Sequence, residues 1–350
     1  MFKNKINVVN KELYRYCDPF IVAEISSNHE QDFEKAKQLI DLAKEANADA
    51  VKFQTFEPES LTLNSQKSYF NLSKNSNWRD YNQYSLYSKG ATPKAWLKDL
   101  YEYSFEKNLV SFSTPFSAKD VEFLEELSNP IYKIASYESN HFELIKEVLR
   151  TNKPVFISLG GTNSHDLDEL IKVLVKSNNK QIVLLNCVCS YPADEQDSNI
   201  SKIISIFDDY GFLAGFSDHS NGSKSAVVAA SLGAVVFEKH IMLDEGETLD
   251  KDFSSNLDDF TKYVNDIKEV NKILGTKNFQ ILESEKPHTK SRRSIFTTES
   301  INKGEPISIK NIAVVRPADG LHPKYFQEII GRKAKKFIEK HEPLKLEDLE

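Results

Sequence analysis

Short apolar runs recur eight times between residues 20 and 240: FIVAEIS (20–26), DAVKFQT (49–55), LVSFSTP (109–115), IYKIAS (131–136), PVFISLG (154–160), QIVLLNC (181–187), FLAGFSDH (212–219) and AVVFEKH (234–240). Each has the length and near-continuous apolar character of a strand buried on both faces. Those after the first are mostly preceded by a stretch with helical spacing, such as FEKAKQLIDLAKEA (33–46). This alternation predicts an α/β protein built on a (β/α)8 TIM barrel, a fold whose chemistry sits at the C-terminal ends of its strands. Glu24, Lys52, Gln54, Thr114, Lys133, Glu138, His219 and His240 lie at or just past those ends and then converge on one mouth. That is the pattern of an enzyme.

The pattern outside the runs fills in the rest. INVV and KELYRY, within residues 1–17, predict a hairpin that closes the bottom of the barrel. Residues 56–96 are polar and aromatic and interrupt the second strand-to-helix step; a loop this long in a compact domain is expected to be a lid or binding loop. LDDFTKYVNDIKEVNKILG (257–275) reads as an amphipathic helix capped by Gly275, which completes a barrel domain over 1–275. Residues 276–290 carry little pattern and read as a linker. From 291 to 350 the grammar changes: SIFTTESINKGEPISIKNIAVVRP gives short strands with a turn at Lys303-Gly304, and small helices and strands are expected to alternate after it. Such a module has barely enough chain for its own core and is expected to dock on its own barrel or on a neighbour's.

Composition narrows the chemistry. A net charge of -7 argues against general nucleic-acid binding, so an anionic substrate has to be drawn by a local cluster of positive charge. No apolar run reaches the roughly 18 residues of a membrane span, and MFKNKINVVNKELYRY lacks a signal-peptide core. Three cysteines, Cys17, Cys187 and Cys189, do not make a disulfide framework, which points to a reducing cytoplasm. The Cys187–Cys189 pair leaves a metal site open as an alternative, with no further cysteine pair to complete it.

Lys52 and Lys133 each interrupt an otherwise apolar strand, where a lysine is costly unless paired. They are either partners of core carboxylates or a cradle for a small polyanion. Thr114, Ser136, Ser158 and Ser217 end four different strands and add hydroxyl donors, so the set describes a pocket for phosphate and carboxylate. His219 and His240 end neighbouring strands, within reach of one ion. With Asp250 and Glu238 binding through water, the site keeps open positions, fitting octahedral Mn²⁺, Mg²⁺ or Co²⁺ better than a closed zinc site. Glu24 and Glu138 are acid/base candidates or neutralise the lysines. Gln54 and Tyr191 can bond a hydroxylated substrate, and Arg316, in the C-terminal module, reads by itself as surface charge.

Taken in order, AEISSNH, KFQT, FSTPFS, YKIASYE, CSYP, FSDHS and FEKH resemble the barrel motifs of the sialic acid synthase family, and 294–350 resembles its antifreeze-like SAF domain, a β-clip. EPESLTLNS and GLHPKYFQEIIGRKA are most similar to the pseudaminic acid synthase branch. The resemblance implies condensation of phosphoenolpyruvate with 2,4-diacetamido-2,4,6-trideoxy-L-altropyranose, with N-acetylneuraminate or legionaminate synthesis from a manno-configured acceptor as the alternative. It implies that Lys52, Thr114, Lys133, Ser136 and Ser217 bind phosphoenolpyruvate, that His219 and His240 hold the metal, and that Glu24 serves the chemistry. Gln54, Tyr191 and Asp250 then face the sugar, and Arg316 reaches its N-acetyl group in the partner of a domain-swapped homodimer. Cys189 stands where many relatives carry an asparagine that binds phosphate. Two rivals remain: a Schiff-base aldolase using Lys133, and a catalytically silent barrel that binds carbohydrate or a partner.

Overall fold

The computed structural model describes residues 5–74, 76–244 and 247–350. It divides into two compact units, residues 1–275 and 276–350. In the first, a hairpin of β1 (Lys5–Val8) and β2 (Lys11–Tyr14) precedes eight parallel strands: β3 (Phe20–Glu24), β4 (Ala50–Thr55), β5 (Val110–Pro115), β6 (Tyr132–Ile134), β7 (Val155–Ser158), β8 (Ile182–Cys187), β9 (Leu213–Asp218) and β10 (Val236–His240). They close into a barrel in sequence order, with β10 pairing β3. All eight apolar runs supply one strand each, every one within or close to its expected bounds.

Helices α1 (Phe33–Glu45), α4 (Lys94–Glu106), α5 (Ala118–Glu126), α6 (Phe142–Arg150), α7 (Ser164–Lys176), α8 (Lys202–Asp208), α9 (Lys224–Ser231) and α10 (Leu257–Leu274) follow the strands, with α2 (Pro58–Leu61) and α3 (Gln83–Gly90) inside the long loop. Their starts are chemically marked: Asp32, Ser117, Asn163 and Asn256 each accept backbone N–H groups of the first turn. Gly275 ends α10 at φ 58°, in the left-handed region that favours glycine. The loop over 56–96 is thus partly helical rather than plain coil.

Two layers of core explain where chemistry can sit. Strand residues of one parity, such as Ile21, Val51, Phe53, Ile157 and Phe237, face the helices and pack there. Those of the other parity point inward, because successive side chains on a strand alternate. At the N-terminal end the inward residues Phe20, Ala50, Phe112, Phe156 and Leu213 are apolar, and Ile6, Val8 and Leu13 of the hairpin pack onto them. The barrel is therefore sealed at the bottom, and its inward polar positions can only open at the top.

In the second unit β11 (Ser294–Thr297) pairs antiparallel with β12 (Ile312–Val315), and the turn at Lys303-Gly304 forms as expected. Beyond β12 small helical segments at Pro323–Tyr325, Phe326–Ile329 (α11) and Leu346–Asp348 are interspersed with single bridges, such as Ile301 with Ile338 and Ala334 with Leu349, rather than with full strands. They surround a core of Ile295, Ile301, Ile312, Ile329 and Leu344. Among the described residues no helix is long and apolar enough to cross a membrane.

Candidate active site

Parity assembles the site. Counting up from the apolar floor, the next inward residues are Glu24 on β3, Lys52 on β4, Thr114 on β5, Lys133 on β6, Ser158 on β7, Cys187 on β8, Ser217 on β9 and Glu238 on β10. Glu24, Lys52, Lys133 and Glu238 form one buried cluster. The Lys52 ammonium lies 2.8 Å from Glu24 and 3.5 Å from Glu238, and Lys133 lies 3.3 Å from Glu238. The lysine side chains are only 4% and 3% exposed, so these charges have no water to turn to. Both lysines are thus paired with core carboxylates, and both also face the same inner space.

Glu238 accepts from Ser217 Oγ at 3.0 Å and sits between the two lysines. Burial opposes its charge, but Lys133 and Lys52 outweigh that and hold the carboxyl at about 2. Glu24 goes the other way. Its burial outweighs the help of Lys52, and the Glu238 charge adds to the upward push. Lys52 keeps a raised pKa against burial because two carboxylates face it, whereas Lys133 is lowered by burial that Glu238 does not fully offset.

The hydroxyls differ in how they are satisfied. Thr114 Oγ1 accepts from Lys52 at 3.2 Å, and Ser136 Oγ accepts from the Gly160 N–H at 3.1 Å. The Ser158 hydroxyl is buried without a hydrogen-bond partner among the described residues, which leaves it available to a bound group. Gly160 is itself required: a Cβ there would lie 2.4 Å from Cys189 Sγ and 2.7 Å from Ser136 Oγ. The three cysteines are free, so the CxC pair forms no disulfide.

His219 and His240 stand side by side, ring centroids 5.3 Å apart. His219 Nδ1 is 2.9 Å from the Val188 carbonyl, which can only accept, so Nδ1 carries the proton and Nε2 keeps its lone pair. Burial lowers the pKa of both rings, and His219 and Lys52 lower His240 further. Both are therefore neutral nitrogen donors. His240 Nδ1 has no hydrogen-bond partner among the described residues and lies 3.7 Å from Asp250, whose own carboxyl accepts from Ser27 Oγ at 2.9 Å and is raised by burial. Two neutral imidazoles, one with an orphaned nitrogen, beside a carboxylate fit a divalent cation.

Gln54, Tyr191 and Glu138 border this space. Gln54 Nε2 donates to Glu24 at 2.9 Å and to Ser26 at 3.0 Å. Tyr191, on a cis peptide to Pro192, packs its ring against that of His219, centroids 4.5 Å apart and tilted by 48°. Glu138 follows β6 on a short 3₁₀ turn, and burial lifts its carboxyl to about 7 against the pull of Lys133. Arg316 is exposed and belongs to the second unit.

Sequence reasoning missed several supports. Lys239 and Asp218, the outward neighbours of the two histidines, form a buried pair at 3.4 Å, with Lys239 also donating to the Ser220 carbonyl at 2.5 Å. Asn28 ties the Ile241 carbonyl at 2.7 Å to Ser254 Oγ at 2.8 Å, fixing the loop that carries Asp250. Trp78 and Phe253 pack around Tyr191. A lysine and an aspartate beside two candidate ligands were a readable signal for the first of these. Nothing local in the sequence marked the others.

Residues 39–279 match the NeuB family model and residues 292–350 match the SAF domain. The pseudaminic acid synthase of Helicobacter pylori is 39% identical over 95% of this chain and 98% of its own length, and that of Campylobacter jejuni serotype O:23/36 is 37% identical over 94% and 96%. The crystal structure of N-acetylneuraminic acid synthetase from Leptospira borgpetersenii superposes with a TM-score of 0.71 at 28% identity, covering 82% of this chain and 95% of that one. The chain belongs to the NeuB family, a synthase barrel followed by a SAF domain.

Proposed function

We propose that this mouth condenses phosphoenolpyruvate with 2,4-diacetamido-2,4,6-trideoxy-L-altropyranose and water, giving pseudaminic acid and phosphate. The observation that carries the reading is the pair of buried lysines in the same barrel end as two neutral imidazoles. The relatives named pseudaminic acid synthase, similar over nearly the full chain, support the choice of acceptor.

Lys52 and Lys133 take the phosphate and carboxylate of phosphoenolpyruvate, with Thr114, Ser136, Ser158 and Ser217 as hydroxyl partners, so the substrate shares the two ammonium groups with Glu24 and Glu238. Gln54, Tyr191 and Asp250 orient the open-chain sugar. A divalent cation held by His219 and His240, with Asp250 alongside, would supply Lewis-acid polarisation of the sugar's aldehyde oxygen. C3 of phosphoenolpyruvate attacks the aldehyde carbon, a carbon–carbon bond forms, and the aldehyde oxygen takes a proton, for which Glu138 at about 7 is the donor. Positive charge develops at C2, where Glu24 faces it. Water adds to C2 and loses a proton, and the tetrahedral adduct then expels phosphate by breaking the C2–O bond. Holding both reactants in one enclosed mouth supplies much of the acceleration.

Arg316 from a second copy completes the sugar site in this reading, making the working unit a homodimer. Phosphate release is measured with three acceptors: N-acetylmannosamine and the altro- and manno-configured diacetamido sugars. The altro compound is expected to be preferred, and preference for either other sugar overturns the acceptor assignment. In the same assay an equimolar mixture of K133M and R316A chains regains activity if Arg316 serves the partner's barrel, and stays inactive if it serves its own.

A further inference from the structure

The two halves of the mouth rest on different supports. The lysine cluster is built from strand residues of the barrel. The imidazole pair, by contrast, is walled by three rings from three loops: Tyr191 lies 4.5 Å from His219, Phe253 lies 4.9 Å from His240 and 4.9 Å from Tyr191, and Trp78 lies 5.7 Å from Tyr191 and 6.2 Å from Phe253. Trp78 comes from the long segment between β4 and α4. Its indole N–H donates to the Leu249 carbonyl at 2.7 Å, and the Asn77 amide donates to the Tyr191 carbonyl at 2.7 Å. Two consecutive residues therefore strap together the loops that follow β8 and β10. Because its N–H is already engaged, Trp78 presents only apolar ring surface, and Phe253 has nothing polar to offer.

We propose that Trp78 is a positioning residue that sets acceptor specificity: with Tyr191 it holds Phe253 as an apolar wall beside the imidazoles, against which the acceptor lays its deoxy C6 methyl. The proposal rests on the condensation argued above. Phosphoenolpyruvate, bound by the strand-borne lysines, does not depend on the wall. A sugar that carries a hydroxyl at C6 has to bury it against the Phe253 and Trp78 rings, which offer it no free donor or acceptor, and this disfavours it.

Steady-state phosphate release separates the halves. With whichever acceptor configuration the parent enzyme turns over, W78A is expected to raise the acceptor KM about tenfold, the scale of one methyl group in an apolar pocket. It leaves the KM for phosphoenolpyruvate unchanged, and the preference for a 6-deoxy over a 6-hydroxy acceptor shrinks by a similar factor. W78F recovers most of both effects. If the two KM values rise together, or the 6-deoxy preference survives W78A intact, the proposal fails. A binding measurement covers loss of turnover. The chain has two tryptophans, and W96F leaves Trp78 as the single emitter. Its fluorescence is expected to shift with acceptor and not with phosphoenolpyruvate alone, and the opposite pattern overturns the assignment. Activity confined to a manno-configured acceptor would refute the altro assignment and leave this test standing.

Discussion

Lys133 and Glu238 are worth more to each other than either is alone. Removing one partner of a buried pair leaves an uncompensated charge, a loss of about 3–5 kcal/mol. K133M is therefore expected to lose about 3 kcal/mol in denaturant unfolding, since Glu238 keeps Lys52 at 3.5 Å, and to bind phosphoenolpyruvate far more weakly. K133M/E238Q regains most of the stability but none of the affinity by calorimetric titration. A double variant that recovers binding contradicts the cradle. Glu138 gives the pH dependence. Its folded pKa of about 7 lies above the ordinary 4.5, so the folded protein holds this proton more tightly between those values. The resulting stability is full at low pH and is lost as pH rises through about 7. As a proton donor, Glu138 should also make activity fall on the alkaline side of about 7, and E138Q should abolish that limb of the kcat/KM profile. An unchanged limb removes Glu138 from the proton transfer.

At the scale of elements, β9 and β10 carry a histidine inward and a charged residue outward at nearly the same height. Lys239 and Asp218 lock the outer faces of these two strands together, which fixes the spacing of His219 and His240 on the inner side. K239M is expected to destabilise the fold by about 3 kcal/mol, and D218N/K239M to recover much of it, because a neutral amide can still accept from the Ser220 N–H and hydroxyl that now bond Asp218. Equal stability of K239M and the parent would show that the pair locks nothing. The same alternation explains what could be read in advance. Strands buried on both faces give near-continuous apolar runs, so all eight were legible, as was the end of α10 at Gly275. The polar residues breaking those runs were legible as a mouth. The partner of Glu238 was not, because the residue it meets across the barrel depends on strand tilt and stagger, which no single run encodes. The C-terminal module was harder still. Its sheet consists largely of single bridges, too short to carry a period.

The whole molecule sets a negative background of -7 against which the mouth works. In the proposed reaction long-range attraction does not bring the polyanion in, and the two buried lysines hold it once there, in a barrel closed below by the β1–β2 hairpin. Membership of the NeuB family follows from almost the entire chain, barrel and SAF domain together. In the proposed reaction the enol carbon attacks, water adds at C2, and phosphate departs with the bridging oxygen. Phosphoenolpyruvate labelled with heavy oxygen at the bridge between C2 and phosphorus tests it directly. Mass spectrometry of the products should find the label in inorganic phosphate; label retained in the sugar acid would contradict the account.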